Sequence, residues 1–78
     1  MVNALVLIKV RRDAVNETAQ ALLELQGVAE VYSVAGKWDL VAMVRAKSNE
    51  ELADLVTQHL LRIDSIQKTE TLIAFRAY

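Results

Sequence analysis

The stretch VAEVYSVAGKWDLVAMVRA, Val28–Ala46, decides the fold. It holds two runs rich in β-branched and aliphatic residues with a single glycine between them. Val28–Ala35 reads as one strand and Trp38–Ala46 as the next. That leaves Gly36-Lys37 as a two-residue hairpin loop, and glycine at its first central position suits a type II′ turn. The turn sets the register. Ala35 and Trp38 flank it on one face, and Val34 and Asp39 point to the other.

Working outward, each side of this hairpin carries one more strand and one helix. Upstream, VNALVLIKVR (Val2–Arg11) has the composition of a strand. Asp13 is placed to cap a helix, on which Ala14, Thr18, Ala21, Leu22 and Leu25 recur at helical spacing. Gly27 then stands as its C′ residue. Downstream, SNEE (Ser48–Glu51) is a capping-box pattern, and Leu52, Leu55, Val56, His59 and Leu60 continue an apolar stripe. SIQKTETLIAFRAY (Ser65–Tyr78) contains the fourth strand. The order βαββαβ predicts an α+β, ferredoxin-like split unit, with four antiparallel strands and both helices on one face. The whole chain, residues 1–78, is expected to be a single domain.

A 78-residue domain buries a modest fraction of its surface, and small domains commonly compensate with disulfides, metals or oligomerisation. There is no cysteine and only one histidine, His59, so no thiolate or histidine metal site is expected. Oligomerisation remains, and the 54% hydrophobic content is more than one small core easily hides. The net charge of −1 argues against a nucleic-acid footprint, which needs a basic excess on one face. No apolar run has membrane-spanning length, and no signal peptide is legible at the N-terminus. The expected location is the cytoplasm.

Sorting strand residues by parity gives two faces. Val6, Ile8, Val31, Leu40, Ala42, Val44, Ile73 and Phe75 form a nearly uncharged face, assigned to the helices. The other face carries Leu5, Leu7, Tyr32, Val34, Val41, Met43, Leu72 and Ala74, with charged residues toward the strand ends. An open sheet face ordinarily turns polar, whereas an apolar centre with a charged rim is the anatomy of an interface. A sheet-to-sheet dimer through Leu5, Leu7, Tyr32, Val34, Val41, Met43 and Leu72 is therefore expected.

Catalytic chemistry finds little support. No cysteine nucleophile exists, His59 falls on or beside a helical apolar stripe, and two isolated glycines make no phosphate loop. No catalytic residue, metal ligand or cofactor is assigned. Asp39 stands apart, because aspartate is unfavourable at the start of a strand. Turn chemistry accounts for it equally well. If it is a ligand, Thr69 and Thr71 at the start of the last strand supply nearby hydroxyls. A carboxylate and short hydroxyls at an oligomer rim suit a small zwitterion.

At these residues the chain resembles the C-terminal effector-binding (RAM) domain of the Lrp/AsnC transcriptional regulators. The resemblance covers essentially the whole chain. It rests on GKWD (Gly36–Asp39), a glycine, two residues, then aspartate, and on SIQKTETLIAF, where Ile66 is followed by Thr69 and Thr71. It implies dimers formed through the sheets, further assembly often into octamers, and amino-acid effectors bound in clefts between dimers near the glycine–aspartate turn. Carried over residue by residue, the binding site is Gly36, Trp38, Asp39, Thr69 and Thr71. The full regulators carry an N-terminal helix-turn-helix, whereas here Met1 runs straight into the first strand. The expectation is a stand-alone domain without direct DNA binding, working with full-length regulators of the family. Two rival readings stay open. One is a small dimeric α/β-barrel enzyme using His59 or Tyr32, and the other is a purely structural oligomerisation module.

Overall fold

Four extended segments form where β-branched and aliphatic residues concentrate, and in the two central ones apolar side chains alternate between both faces of the pleat. In the computed structural model, which describes residues 1–77, these are β1 (Val2–Val10), β2 (Val28–Ser33), β3 (Leu40–Ala46) and β4 (Ile66–Ala74). They make one sheet in the order β2-β3-β1-β4, with every neighbouring pair antiparallel. Between β1 and β2 runs α1 (Val15–Leu23), and between β3 and β4 runs α2 (Asn49–Asp54). α2 continues as a π-helical turn over Leu55–His59 and a 3₁₀ turn over Leu60–Arg62. The fold is the ferredoxin-like βαββαβ unit.

Both helices cover the same face. Leu22, Leu52, Leu55 and Leu60 pack onto Ala4, Val6, Ile8 and Val10 of β1 and onto Leu40, Ala42, Val44 and Ala46 of β3. The central strands supply most of this core because each has neighbours on both edges and helices above. Among the described residues, nothing covers the opposite face. There Leu5, Leu7, Val41 and Met43 are half-buried by one another, and Tyr32, Val34 and Leu72 are exposed.

Several expected boundaries move, each for a local reason. Arg11 leaves the sheet, and its N–H donates to the Ser65 carbonyl at 2.9 Å. Asp13 does not cap α1. It sits inside a 3₁₀ turn, Arg12–Ala14, and α1 starts directly after that turn without a side-chain cap. Gly27 is not the C′ residue of α1, whose C-cap is Glu24. Its φ of +102° instead serves the turn into β2, where its carbonyl accepts the Arg45 N–H at 2.8 Å. A Cβ there would lie 3.2 Å from the Arg45 carbonyl oxygen, so glycine also permits the close approach of β3.

At the second helix, Ser48 Oγ accepts the Glu51 N–H at 3.1 Å, which is one of the two bonds of the capping box. The π turn widens the helix after Leu55. Leu60 is therefore the next buried residue, and His59 is exposed instead of lying in the apolar stripe. Parity assigns Ile73 and Phe75 to the helix-covered face, yet they are 44% and 86% exposed. Ile73 does pair with Ala4 on that side, but it lies toward the far end of β4, an edge strand whose packing against the core is at its start, at Ile66. The final residue of the expected fourth-strand segment, Tyr78, lies outside the described residues.

Candidate functional site at the hairpin loop

The central connection is wider than a two-residue turn. β2 ends at Ser33 and β3 begins at Leu40, so residues 34–39 form the loop. The Val34 N–H donates to the Asp39 carbonyl at 3.0 Å and closes its base. The register centred on Gly36-Lys37 nevertheless holds, since Ser33 pairs with Leu40 and Tyr32 with Val41. Gly36 has φ +125° with open space around it, so backbone conformation is what calls for glycine.

Asp39 is drawn out of the hairpin by β1. Its N–H donates to the Ile8 carbonyl at 3.0 Å, and its Oδ2 accepts the Val10 N–H at 3.0 Å. The β1–β3 ladder ends at the pair Ile8 and Leu40, so the Val10 amide would otherwise lack a strand partner on that side. The carboxylate thus extends the ladder by one bond. Lys9 Nζ lies 3.8 Å from the same Oδ2 and donates at 3.4 Å to the Lys37 carbonyl. Among the described residues, Asp39 Oδ1 has no hydrogen-bond partner.

This capture separates residues that sequence parity arranges differently. Trp38 lines a cleft of about 320 Å³ with Gly36, Lys37, Lys9 and Lys68. Lys9 and Lys68 are directly paired across β1 and β4, and they share the uncovered face with Leu5 and Leu7. The Lys68 ammonium stands 5.7 Å from the centre of the Trp38 ring, within cation–π range. Asp39 instead lines a neighbouring hollow with Val10, Arg12, Val15 and Gln67, and Lys9 borders both spaces. Parity sets Asp39 on the open face and Trp38 on the other. It fails here because residues 34–39 are not strand.

Thr69 and Thr71 lie elsewhere. They pair with Ile8 and Val6, which puts them on the helix-side face of β4. Thr69 is half-buried, Thr71 is exposed, and neither lines the Trp38 cleft or the Asp39 hollow. Within one chain, then, Gly36 and Trp38 share a cleft, Asp39 adjoins it through Lys9, and the two threonines stand apart. Sequence reading does not assign the three lysines of the cleft to the site. A signal was available: once the β1–β4 register is known, Lys9 and Lys68 face each other with like charge.

The residues required by an enzyme reading do not converge. Tyr32 is on the open face, where its hydroxyl donates to Glu30 Oε2 at 2.6 Å. His59 is in the helical layer, beside Gln26, Lys47, Glu51 and Asp54. The Glu30 carboxylate holds the Tyr32 phenol above its ordinary pKa, first through this hydrogen bond and then through its charge. Among the described residues, no three His, Asp or Glu side chains gather as a metal site, and no helix is long and apolar enough to cross a membrane.

A sequence model described as the Lrp/AsnC ligand binding domain matches residues 3–78. The chain belongs to the Lrp/AsnC ligand-binding domain family. A Thermus thermophilus protein of solved structure, TTHA0845, is 54% identical, with a TM-score of 0.94 over 100% of this chain and 98% of that one. Escherichia coli AsnC is 26% identical with a TM-score of 0.90, over 96% of this chain and 51% of AsnC. The Pyrococcus furiosus HTH-type transcriptional regulator FL11 is 31% identical over 75 residues, which are 96% of this chain and 49% of FL11. This Lrp/AsnC domain thus spans about half the length of FL11, and 39% of a second Pyrococcus furiosus regulator, PF0250. FL11 and PF0250 are both named as HTH-type transcriptional regulators.

Proposed function

We propose that this Lrp/AsnC domain is a non-enzymatic, amino-acid-binding and oligomerisation domain that acts in transcriptional regulation without itself contacting DNA. On this reading, residues 1–78 form one domain and the protein works in the cytoplasm. Two copies pack sheet to sheet through Leu5, Leu7, Tyr32, Val34, Val41, Met43 and Leu72, and dimers assemble further, to an octamer. The effector is a free amino acid held at Gly36, Trp38 and Asp39. Thr69 and Thr71 then reach the cleft from a neighbouring subunit, since they stand apart within one chain. Effector binding shifts the populations of assembly states by its differential affinity for them. Full-length Lrp/AsnC regulators are the natural partners of such an assembly.

The observation that carries this reading is the Trp38 cleft at the rim of a sheet face that is apolar and uncovered. A cleft placed there is completed or closed by whatever subunit covers the face, which couples ligand to assembly.

Trp38 is the only tryptophan, so its fluorescence reports this cleft alone. Titrating the common amino acids while following fluorescence and thermal melting should give a saturable response to at least one of them. At a hundred times its dissociation constant, a bound effector adds about 2.7 kcal/mol per site. A protein that assembles stably but shows no optical or thermal response to any amino acid would be a structural module instead.

A further inference from the structure

We propose that the Trp38 cleft selects effectors with net negative charge, so that dicarboxylates and acidic amino acids bind ahead of neutral zwitterions. This rests on the effector-binding reading above and goes further by naming the ligand class.

The argument begins with a pairing that folding does not favour. Lys9 and Lys68 are directly opposite each other across β1 and β4, on the same face. Like charges at such a pair destabilise a sheet. Lys37 borders the same cleft. The chain as a whole has ten acidic and nine basic residues, so this cluster is a local excess and does not follow from composition. Among the described residues, one of the three lysines has a carboxylate beside it: the Lys9 ammonium lies 3.8 Å from Asp39 Oδ2. Among the described residues, no acidic side chain lies within ion-pair distance of Lys37 or Lys68. The next same-face residue of β4, Glu70, is opposite Leu7 and makes no ion pair with Lys68.

Three lysines lining it, with one carboxylate beside Lys9, give a cationic cleft with an aromatic wall. The Trp38 ring offsets part of the charge of Lys68 and offers an apolar surface to a ligand's carbon chain. A second carboxylate on the ligand would neutralise the Lys9–Lys68 repulsion that the fold carries. A neutral zwitterion supplies one carboxylate and brings an ammonium group into the same field. The volume, about 320 Å³, suits a metabolite-sized ligand.

Isothermal titration of the assembled protein with L-glutamate and with its neutral isostere L-glutamine tests the charge directly. L-Glutamate, or succinate as a dicarboxylate without an ammonium group, should bind about tenfold more tightly than L-glutamine, and the difference should shrink with added salt. Lys68 is exposed, so Lys68→Gln should leave folding intact and abolish the preference, whereas Lys68→Arg should retain it. L-Glutamine or L-leucine binding as tightly as L-glutamate would overturn the charge inference and leave the effector reading standing. Inorganic phosphate competing as well as succinate would overturn carboxylate selection. Silence toward every amino acid and dicarboxylate would overturn both.

Discussion

At Asp39 two demands meet on one carboxylate. Oδ2 caps β1 by accepting the Val10 amide, while Oδ1 is unengaged among the described residues. Replacing Asp39 with alanine therefore removes a strand-end acceptor as well as a charge, and a lost ligand response would have two causes. Asp39→Ala should cost about 1–2 kcal/mol in urea denaturation, because the Val10 amide loses its partner. Asp39→Asn keeps an oxygen for that amide, so its stability should stay within about 0.5 kcal/mol of the parent. If Asp39 meets a ligand's ammonium group, Asp39→Asn should still lose effector affinity in a fluorescence titration. Tyr32 gives a second test at this scale. Its phenol is held above its ordinary value by Glu30, so the Tyr32–Glu30 contact is present below the ordinary phenol pKa and is lost as pH rises through the higher folded value. Glu30→Gln should bring the phenolate absorbance step assigned to Tyr32 down toward the ordinary value, with Tyr32→Phe identifying that step. The sequence marked Asp39 as unusual because aspartate is a poor strand residue. It could not show that the Val10 amide was the reason, since that bond joins residues 29 apart.

Elements were legible where periodicity is long and blurred where side chains compete for backbone groups. All four strands and both helices follow from apolar spacing, and the βαββαβ order follows from them. The helix ends did not, because caps depend on contacts made across the fold. Thr18 illustrates this. On apolar spacing it is simply a member of the α1 stripe. In the structure it is buried, and its Oγ1 donates to the Ala14 carbonyl at 2.6 Å. A hydroxyl has one proton, so in its contact with Ser65 Oγ, Thr18 must be the acceptor and Ser65 the donor. This buried pair ties α1 to the residue just before β4, where the Ser65 carbonyl also receives the Arg11 amide. Thr18→Val is nearly isosteric and should destabilise the protein by about 1–3 kcal/mol, leaving Ser65 without its acceptor. Denaturation midpoints measure this, and Thr18→Ser, which keeps the hydroxyl, should recover much of the loss. The π turn over Leu55–His59 had no sequence signal, and it is what took His59 out of the stripe.

Over the whole molecule, the dominant fact is a sheet with helices on one side only. The thinnest dimension, 17 Å, leaves room for one sheet and one helical layer. The alternation of strand residues makes that face legible as apolar from sequence, with Leu5, Leu7, Val41 and Met43 at its centre. The sequence did not reveal that the end of β4 would be uncovered on both sides, with Leu72 43% and Ile73 44% exposed on opposite faces of the same strand. Parity assigns a residue to a face, but it cannot say how far the helices reach. If the open face is a subunit interface, sedimentation at micromolar concentration should find a dimer or larger species. Leu7→Glu should then shift the protein to monomer with its helical circular dichroism retained. A folded monomer of the parent chain would remove the dimer reading.

The bond from the Val10 amide to Asp39 gives the loop a native isotope gauge. That proton is protected by a side chain of residues 34–39 and not by a β3 backbone carbonyl, so its deuterium uptake follows the loop and not the sheet. An effector taken up by the free Oδ1 should leave Oδ2 in place and slow exchange at Val10 as the loop stiffens. The neighbouring β1 amides that pair with β4 should keep their rates. Faster exchange on binding would mean that ligand and strand compete for the same oxygen, and that occupancy loosens the end of β1.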